Sequence, residues 1–240
     1  MSDCTLVMVN WNQRKIMELA LKSFVKYHYS GEPLKLLLLD NGSLDDSKEW
    51  LKENKIPFYD FIMNLGHENG LNCLYGQIQT KYALIADTDL EFLENVYEKY
   101  LPLLNDECKL IGDYITQDRL HESVKPRVGA WFMLTDVQAM KDKGVKIFRT
   151  KADWSYDVGS QYTEAVLENG FTIHHLPRLN SDIDRDVKGM DYGSHVHYGK
   201  LSWNLQNHMD REWEVKMRMS YIVDQRLPLY RDVDLKNKFI

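Results

Sequence analysis

Asp87 and Asp89 stand one residue apart at the end of the apolar run Tyr82-Ala83-Leu84-Ile85-Ala86. Such a run reads as a buried strand, and a parallel strand delivers its last residues to the carboxyl edge of its sheet, where open α/β folds place their ligands. Two carboxylates at that edge make a hard, oxygen-rich site for Mg²⁺ or Mn²⁺ and, through the metal, for a pyrophosphate. Spacing alone carries no weight, because Asp182/Asp184, Asp184/Asp186 and Asp232/Asp234 repeat it without an apolar strand in front. The alternative, a helix cap beside a solvated loop acid, accounts for one carboxylate but not for two.

The elements that must position this pair share one design. Thr5 to Val9 ends in Asn10, Leu36 to Leu39 in Asp40, Phe58 to Met63 in Asn64, and Tyr82 to Ala86 in Asp87. Continuous apolar character suits strands covered on both faces. Between them the patterns predict helices over Arg14 to Tyr29, from a cap at Ser43 or Asp45 through Trp50 to Asn54, and over Glu68 to Gln79. The alternation predicts right-handed βαβ units. Further on, the sequence predicts a helix over Asn95 to Leu104, strands over Lys109 to Ile115 and Val128 to Thr135, a helix over Tyr156 to Asn169 and a strand over Phe171 to Leu176. Asn180 to Gly199 reads as a long loop. Leu205, Met209, Trp213, Met217 and Tyr221 recur every four residues on a final helix, packed on its own domain or offering a dimer or membrane-surface face.

Composition narrows the class. The 240 residues can hold one sizeable domain, or one domain with a small appendage, and the net charge of −6 argues weakly against a nucleic-acid or anionic-membrane surface, a local basic patch excepted. Cys4, Cys73 and Cys108 fit no zinc pattern and suggest reduced thiols in a cytosol. Neither a signal peptide nor a transmembrane segment is expected.

Four ordered blocks carry a resemblance: Val9-Asn10-Trp11-Asn12, Leu39-Asp40-Asn41-Gly42-Ser43 through Ser47, Asn64-Leu65-Gly66-His67-Glu68-Asn69-Gly70, and Asp87-Thr88-Asp89. Together they resemble glycosyltransferase family 2, whose members have the GT-A fold. The resemblance implies that Asp40 meets the nucleotide base, that Asn10, Asn12, Asn64, Gly66, Asp87 and Thr88 line the donor pocket, and that Asp87 and Asp89 hold the metal. The alternative for Asp40 is an Asx-turn that only shapes the loop, and Asn10 and Asn12 could equally serve in caps or turns. His67-Glu68 departs from the small residues usual in the family; the pair could reach a phosphate or sugar, or start the next helix, which is the preferred reading.

In the second half, the resemblance sets Ala130 and Trp131 of Gly129-Ala130-Trp131 close to the donor sugar. It makes Asp157 the match for the family's catalytic base, with Asp153 in reserve, because the usual Glu-Asp pair is missing. A carboxylate there would take the acceptor hydroxyl's proton, although Asp157 could instead be a helix N-terminal acid. Trp131 and Trp154 could stack on sugars or pack in the core. His195-Val196-His197 resembles the late family segment whose histidine approaches the metal; alternation puts both rings on one face, so either could serve. His174 and His175 receive no role.

The expectation is an α/β protein of GT-A fold, with a Rossmann-like, mostly parallel sheet in residues 1–200 and a helical extension in 201–240. Residues 1–90 would bind nucleotide and residues 91–200 the acceptor. The expected function is metal-dependent, inverting transfer of a sugar from a nucleoside-diphosphate sugar to a hydroxyl of a glycan or glycoconjugate. The location would be cytoplasmic and the last helix could form a homodimer. Two other readings remain: a non-catalytic nucleotide-sugar-binding module, and a sugar nucleotidyltransferase, against which the glycine-free Asn10-Trp11-Asn12-Gln13-Arg14 counts.

Overall fold

The computed structural model describes residues 3–122, 124–145, 156–179, 190–199 and 212–240, with side chains of the last segment from 217 onward. Among these, seven strands form the central sheet in the order β3-β2-β1-β4-β7-β6-β8. They are β1 (Cys4–Asn10), β2 (Leu36–Asn41), β3 (Tyr59–Phe61), β4 (Tyr82–Ala86), β6 (Cys108–Ile115), β7 (Arg127–Asp136) and β8 (Thr172–His175). β7 alone runs antiparallel to its neighbours. All others share one direction, so the ends of β1, β2, β4 and β6 emerge at the same edge.

Both faces of the sheet are covered, as the continuous apolar runs require. Leu6, Met8, Leu38 and Leu84 pack on one side with Met17, Leu21 and Phe24 of α1 (Arg14–His28). Val7, Val9, Leu39 and Ile85 pack on the other with Leu71 and Leu74 of α3 (His67–Tyr75) and Tyr162 of α6 (Ser160–Glu168). Each such side chain contributes roughly 1.5–3 kcal/mol when fully buried. α1 is also covered on its outer side, where Ile16 and Leu19 meet Ile222 and Val223 of the last helix, α7 (Glu212–Arg226). After α7 the chain returns to the first half, where Ile240 pairs with Leu34 and Leu36 just before and at the start of β2.

Several sequence expectations need correction. α2 spans Ser47–Glu53; Asp46 stands at the N-cap position without a side-chain capping bond, and the Asp45 carboxylate accepts the Ser47 amide. The helix expected over 95–104 is α4 (Val96–Tyr100), capped by Asn95, followed by a 3-10 turn that contains Pro102. α5 (Val137–Asp142) follows β7 directly. Where the sequence predicts a loop over 180–199, the described part, 190–199, contains β9 (Met190–Asp191) and β10 (His195–His197); β10 lies antiparallel between β5 (Leu90–Phe92) and β9. Residues 180–189 lie outside the described residues. On α7 the four-residue repeat is not the buried seam: Met217 and Tyr221 are exposed, and Ile222 and Val223 face α1. Leu205, Met209 and the side chain of Trp213 lie outside the described residues. Among the described residues no helix is long and apolar enough to cross a membrane.

His28 fastens α1 to α4. Its Nδ1 donates to the Phe24 carbonyl at 2.8 Å and its Nε2 accepts the Val96 amide at 3.1 Å, while Phe24 stacks on the ring. Burial lowers its pKa from 6.5 to about 4. The folded protein therefore binds fewer protons than the unfolded chain between those values, and stability falls as pH drops through that window. Urea unfolding at pH 6.5 and 4.5 should show a loss to which His28 contributes on the order of 2 kcal/mol, and the pH dependence should shrink in His28→Asn.

Candidate active site

β4 ends at Ala86 and the chain runs through Asp87-Thr88-Asp89 directly into β5. Backbone hydrogen bonds hold this bridge from two sides: the Asp87 amide donates to the Trp131 carbonyl at 3.0 Å, and the Tyr198 amide to the Asp89 carbonyl at 2.9 Å. His197, at the end of β10, brings its Nε2 to 3.1 Å from Asp89 Oδ1 and 3.8 Å from Asp87 Oδ2. His67, the first residue of α3, brings its Nε2 to 3.3 Å from Asp87 Oδ1. Ligand atoms from Asp87, Asp89 and His197 lie within 4.8 Å of one another.

His197 is 4% exposed, yet neither ring nitrogen makes a hydrogen bond among the described residues. Its approach to Asp89 is close but outside hydrogen-bond geometry. A buried polar atom without a partner costs about 1–3 kcal/mol, and such atoms mark missing ions or waters. An imidazole nitrogen facing two carboxylate oxygens is a donor set for Mn²⁺, and less so for Mg²⁺. The residues fit a divalent cation. Desolvation is the largest influence on Asp87 and raises its pKa; His67 opposes it, Asp89 adds to it, His197 opposes it and Asp157 adds to it. A cation at this point would relieve that crowding of negative charge.

Both β10 histidines do face one way, but they part company in role. His195 is sandwiched between Phe132 at 4.0 Å and Tyr192 at 4.7 Å, and burial lowers its pKa to about 3. It is a neutral core ring and is absent from the carboxylate group. Trp131 stacks on His197 at 5.1 Å and its indole N–H donates to the Tyr192 hydroxyl. That face of Trp131 therefore braces the histidine rather than a sugar. The Thr88 hydroxyl donates to Gln13 Oε1 at 2.6 Å, both residues being buried.

The strand-end loops on the nucleotide side are stitched to one another. Asp40 is fully buried and accepts from Asn10 Nδ2 at 2.9 Å and the Ser43 amide at 2.8 Å, the turn-forming pattern. Asn12, at φ 53°, accepts from the Leu44 amide. Asn41 donates to Asn64 Oδ1 and to the Gly66 carbonyl, and Asn64 accepts the Gly66 amide. Asn10 Oδ1 is buried without a partner among the described residues. Ala130 is buried in β7 beside Trp131.

Asp157 does not open a helix. It sits three residues before α6 and pairs with Arg127 at 2.7 Å, its side chain 56% exposed. Gly159, at φ +92°, makes the loop possible, since a Cβ there would lie 2.6 Å from the Val128 carbonyl oxygen. Asp153 and Trp154 lie outside the described residues. His67 does both things its position after Asn-Leu-Gly allows: it starts α3 and its ring reaches Asp87. Nothing local announced Arg127.

The sequence matches the model of Glycosyl transferase family 2 over residues 5–156, and the chain belongs to that family. No curated protein sequence matches it. Among solved structures it is similar to a mannosyltransferase from Pyrobaculum calidifontis in complex with GDP-Man and Mn²⁺, at 13% identity and a TM-score of 0.57, covering 95% of this chain and 72% of that one. It is also similar to the glucosyl-3-phosphoglycerate synthase of M. tuberculosis, at 14% identity and TM-score 0.52, over 76% and 74%. S. aureus TarS follows at 13% and 0.54, over 72% of this chain but 35% of that one. These similarities establish the GT-A fold, and the family makes the protein a glycosyltransferase.

Behind the acidic pair lies a second buried carboxylate. Glu91, in β5, is fully buried and accepts two bonds from Arg226 at 2.8 Å each, one from Tyr198 and one from Tyr230. This ties α7 and the turn after it to the strand that pairs with β10. Removing one partner of a buried pair costs about 3–5 kcal/mol because the other charge is left behind. The Arg226 side chain is 38% exposed, so water meets part of the charge left on Glu91; Arg226→Met should lose about 1–3 kcal/mol in urea unfolding, whereas Arg231→Met, at an exposed position, should lose almost nothing.

Proposed function

We propose that the protein is a metal-dependent, inverting glycosyltransferase that moves a sugar from a nucleoside-diphosphate sugar to a hydroxyl of a glycan or glycoconjugate. The observation that carries this is the buried His197 ring, which faces Asp87 and Asp89 in a family 2 chain and makes no hydrogen bond among the described residues. Asp87, Asp89 and His197 would hold Mn²⁺ or Mg²⁺, with His67 supporting Asp87 from the other side. A cation bound there stabilises the charge that develops on the departing diphosphate.

Asp157 accepts the proton of the acceptor hydroxyl as that oxygen attacks the anomeric carbon from the face opposite the diphosphate. Its exposure leaves it open to an acceptor, its charge is felt at Asp87, and Arg127 orients it. Asp153 is the reserve for this role. Asn10, Asp40, Asn64, Gly66 and Ala130 shape the nucleotide pocket chiefly through the loops they fasten. Residues 1–90 form the nucleotide half, 91–200 the acceptor half and 201–240 the extension. A homodimer would use the exposed Met217 and Tyr221. The complex of the Pyrobaculum relative with GDP-Man and Mn²⁺ supports the choice of donor class and metal.

The Arg127–Asp157 ion pair favours one competing reading, a module that binds donor without catalysis, because it engages the proposed base. Two measurements separate them. In a thermal-shift screen of nucleoside-diphosphate sugars, one donor should stabilise the wild type only with Mn²⁺, and Asp89→Ala should lose that shift while its metal-free unfolding stays nearly unchanged. Asp157→Asn should keep the shift and lose transfer by about 10²-fold or more. Near-normal turnover in that variant would move the base elsewhere, and a wild type that binds donor but neither transfers nor hydrolyses it would support the binding module.

A further inference from the structure

Two strands across the sheet from Asp87, at the same edge, β6 carries Asp113. Its carboxylate has no exposure, yet three donors reach it: Arg119 at 3.1 Å, Arg178 Nε at 2.8 Å and the Tyr192 hydroxyl at 2.9 Å. His175 stands 3.9 Å away, its Nδ1 accepting the Tyr114 amide. Burial pushes the Asp113 carboxyl up, but the two guanidiniums and the tyrosine outweigh it and hold it below the usual carboxylate range.

The arrangement is layered. The one negative charge lies underneath, while Arg119 is 35% exposed and Arg178 25% exposed. Two partly exposed guanidiniums thus lie over one buried carboxylate, in a chain of net charge −6. Arg178 gives Asp113 its Nε and also interacts with the Tyr192 hydroxyl, and the remaining N–H groups of its guanidinium can meet a planar or tetrahedral oxyanion. A continuous relay joins this place to the acidic pair: Asp113 to Tyr192, Tyr192 to Trp131, Trp131 stacked on His197. Two strand spacings put the clusters roughly 10 Å apart, a span that one small acceptor can bridge.

We propose that Arg119 and Arg178 form an acceptor subsite for an oxyanion, so that the hydroxyl compound receiving the sugar also carries a phosphate or a carboxylate. The acceptor role rests on the glycosyltransferase reading; the anion site does not. Asp113 positions the two arginines and limits the charge they present, and the buried Tyr192 links their placement to the sugar-transfer centre.

The test is an NMR titration of the full chain with inorganic phosphate, and separately with acetate, in the absence of divalent cations. Phosphate should bind the wild type, and Arg178→Gln and Arg119→Gln should each weaken it by about tenfold or more. Asp113→Asn, which removes the competing charge and keeps the shape, should tighten it, and Asp89→Ala should leave it unchanged. Acetate binding comparable with phosphate would assign a carboxylate acceptor, and much weaker binding a phosphorylated one. Should Arg178→Gln fail to fold, the more exposed Arg119→Gln decides. Absence of phosphate binding to the wild type, or equal binding in the folded arginine variants, overturns the proposal. Failure of every nucleotide sugar to stabilise the protein would instead sink the donor reading and leave the phosphate result standing.

Discussion

A carboxylate removed from water must be met by charge and hydrogen bonds, and Glu91 is met by Arg226, Tyr198 and Tyr230. The consequences reach the active site because Glu91 lies two residues beyond Asp89 and Tyr198 one residue beyond His197. With Glu91 held, β5 has one orientation, β10 pairs with it, and His197 arrives over the acidic pair. The C-terminal helix is thus part of the apparatus that positions the metal-capable group. Leaving Glu91 without its arginine would strand a buried charge, so the helix has little freedom to depart.

Charge is graded along the carboxyl edge. On the β4 side, Asp87 and Asp89 crowd two carboxylates together and Asp87 binds protons more readily than an ordinary aspartate. On the β6 side, Arg119 and Arg178 cover the buried Asp113 and keep part of their guanidiniums at the surface. Trp131, His197 and Tyr192 form the aromatic wall between them. Such an arrangement would suit the proposed reaction, with the diphosphate at the acidic end and the acceptor's anion at the arginines.

Much of this edge was legible in the residues. The apolar runs before Asn10, Asp40 and Asp87 had the length and continuity of strands buried on both faces, and they became β1, β2 and β4 of a mostly parallel sheet. Asp87 and Asp89 could be placed for the same reason. Less was legible where two roles share one residue type. His195 and His197 alternate on a strand and look equivalent, yet Phe132 and Tyr192 enclose one while the other meets carboxylates. The loop expected over 180–199 contained β10 because three residues between polar neighbours carry too little pattern to show a strand. The repeat containing Met217 and Tyr221 suggested a buried stripe, but α1 presented Ile16 and Leu19 to Ile222 and Val223 instead.

What the sequence determined by itself was local and periodic: which segments are strands, which edge they point to, and which acids stand at that edge. Those properties follow from the alternation and continuity of apolar side chains along a few residues of backbone. Only the tertiary structure decided which histidine faces the acids, that Arg127 holds Asp157, and that Glu91 and Arg226, 135 residues apart, form one clamp. An ion pair between distant elements leaves no trace in either element's own pattern, because its existence depends on how both pack against a third.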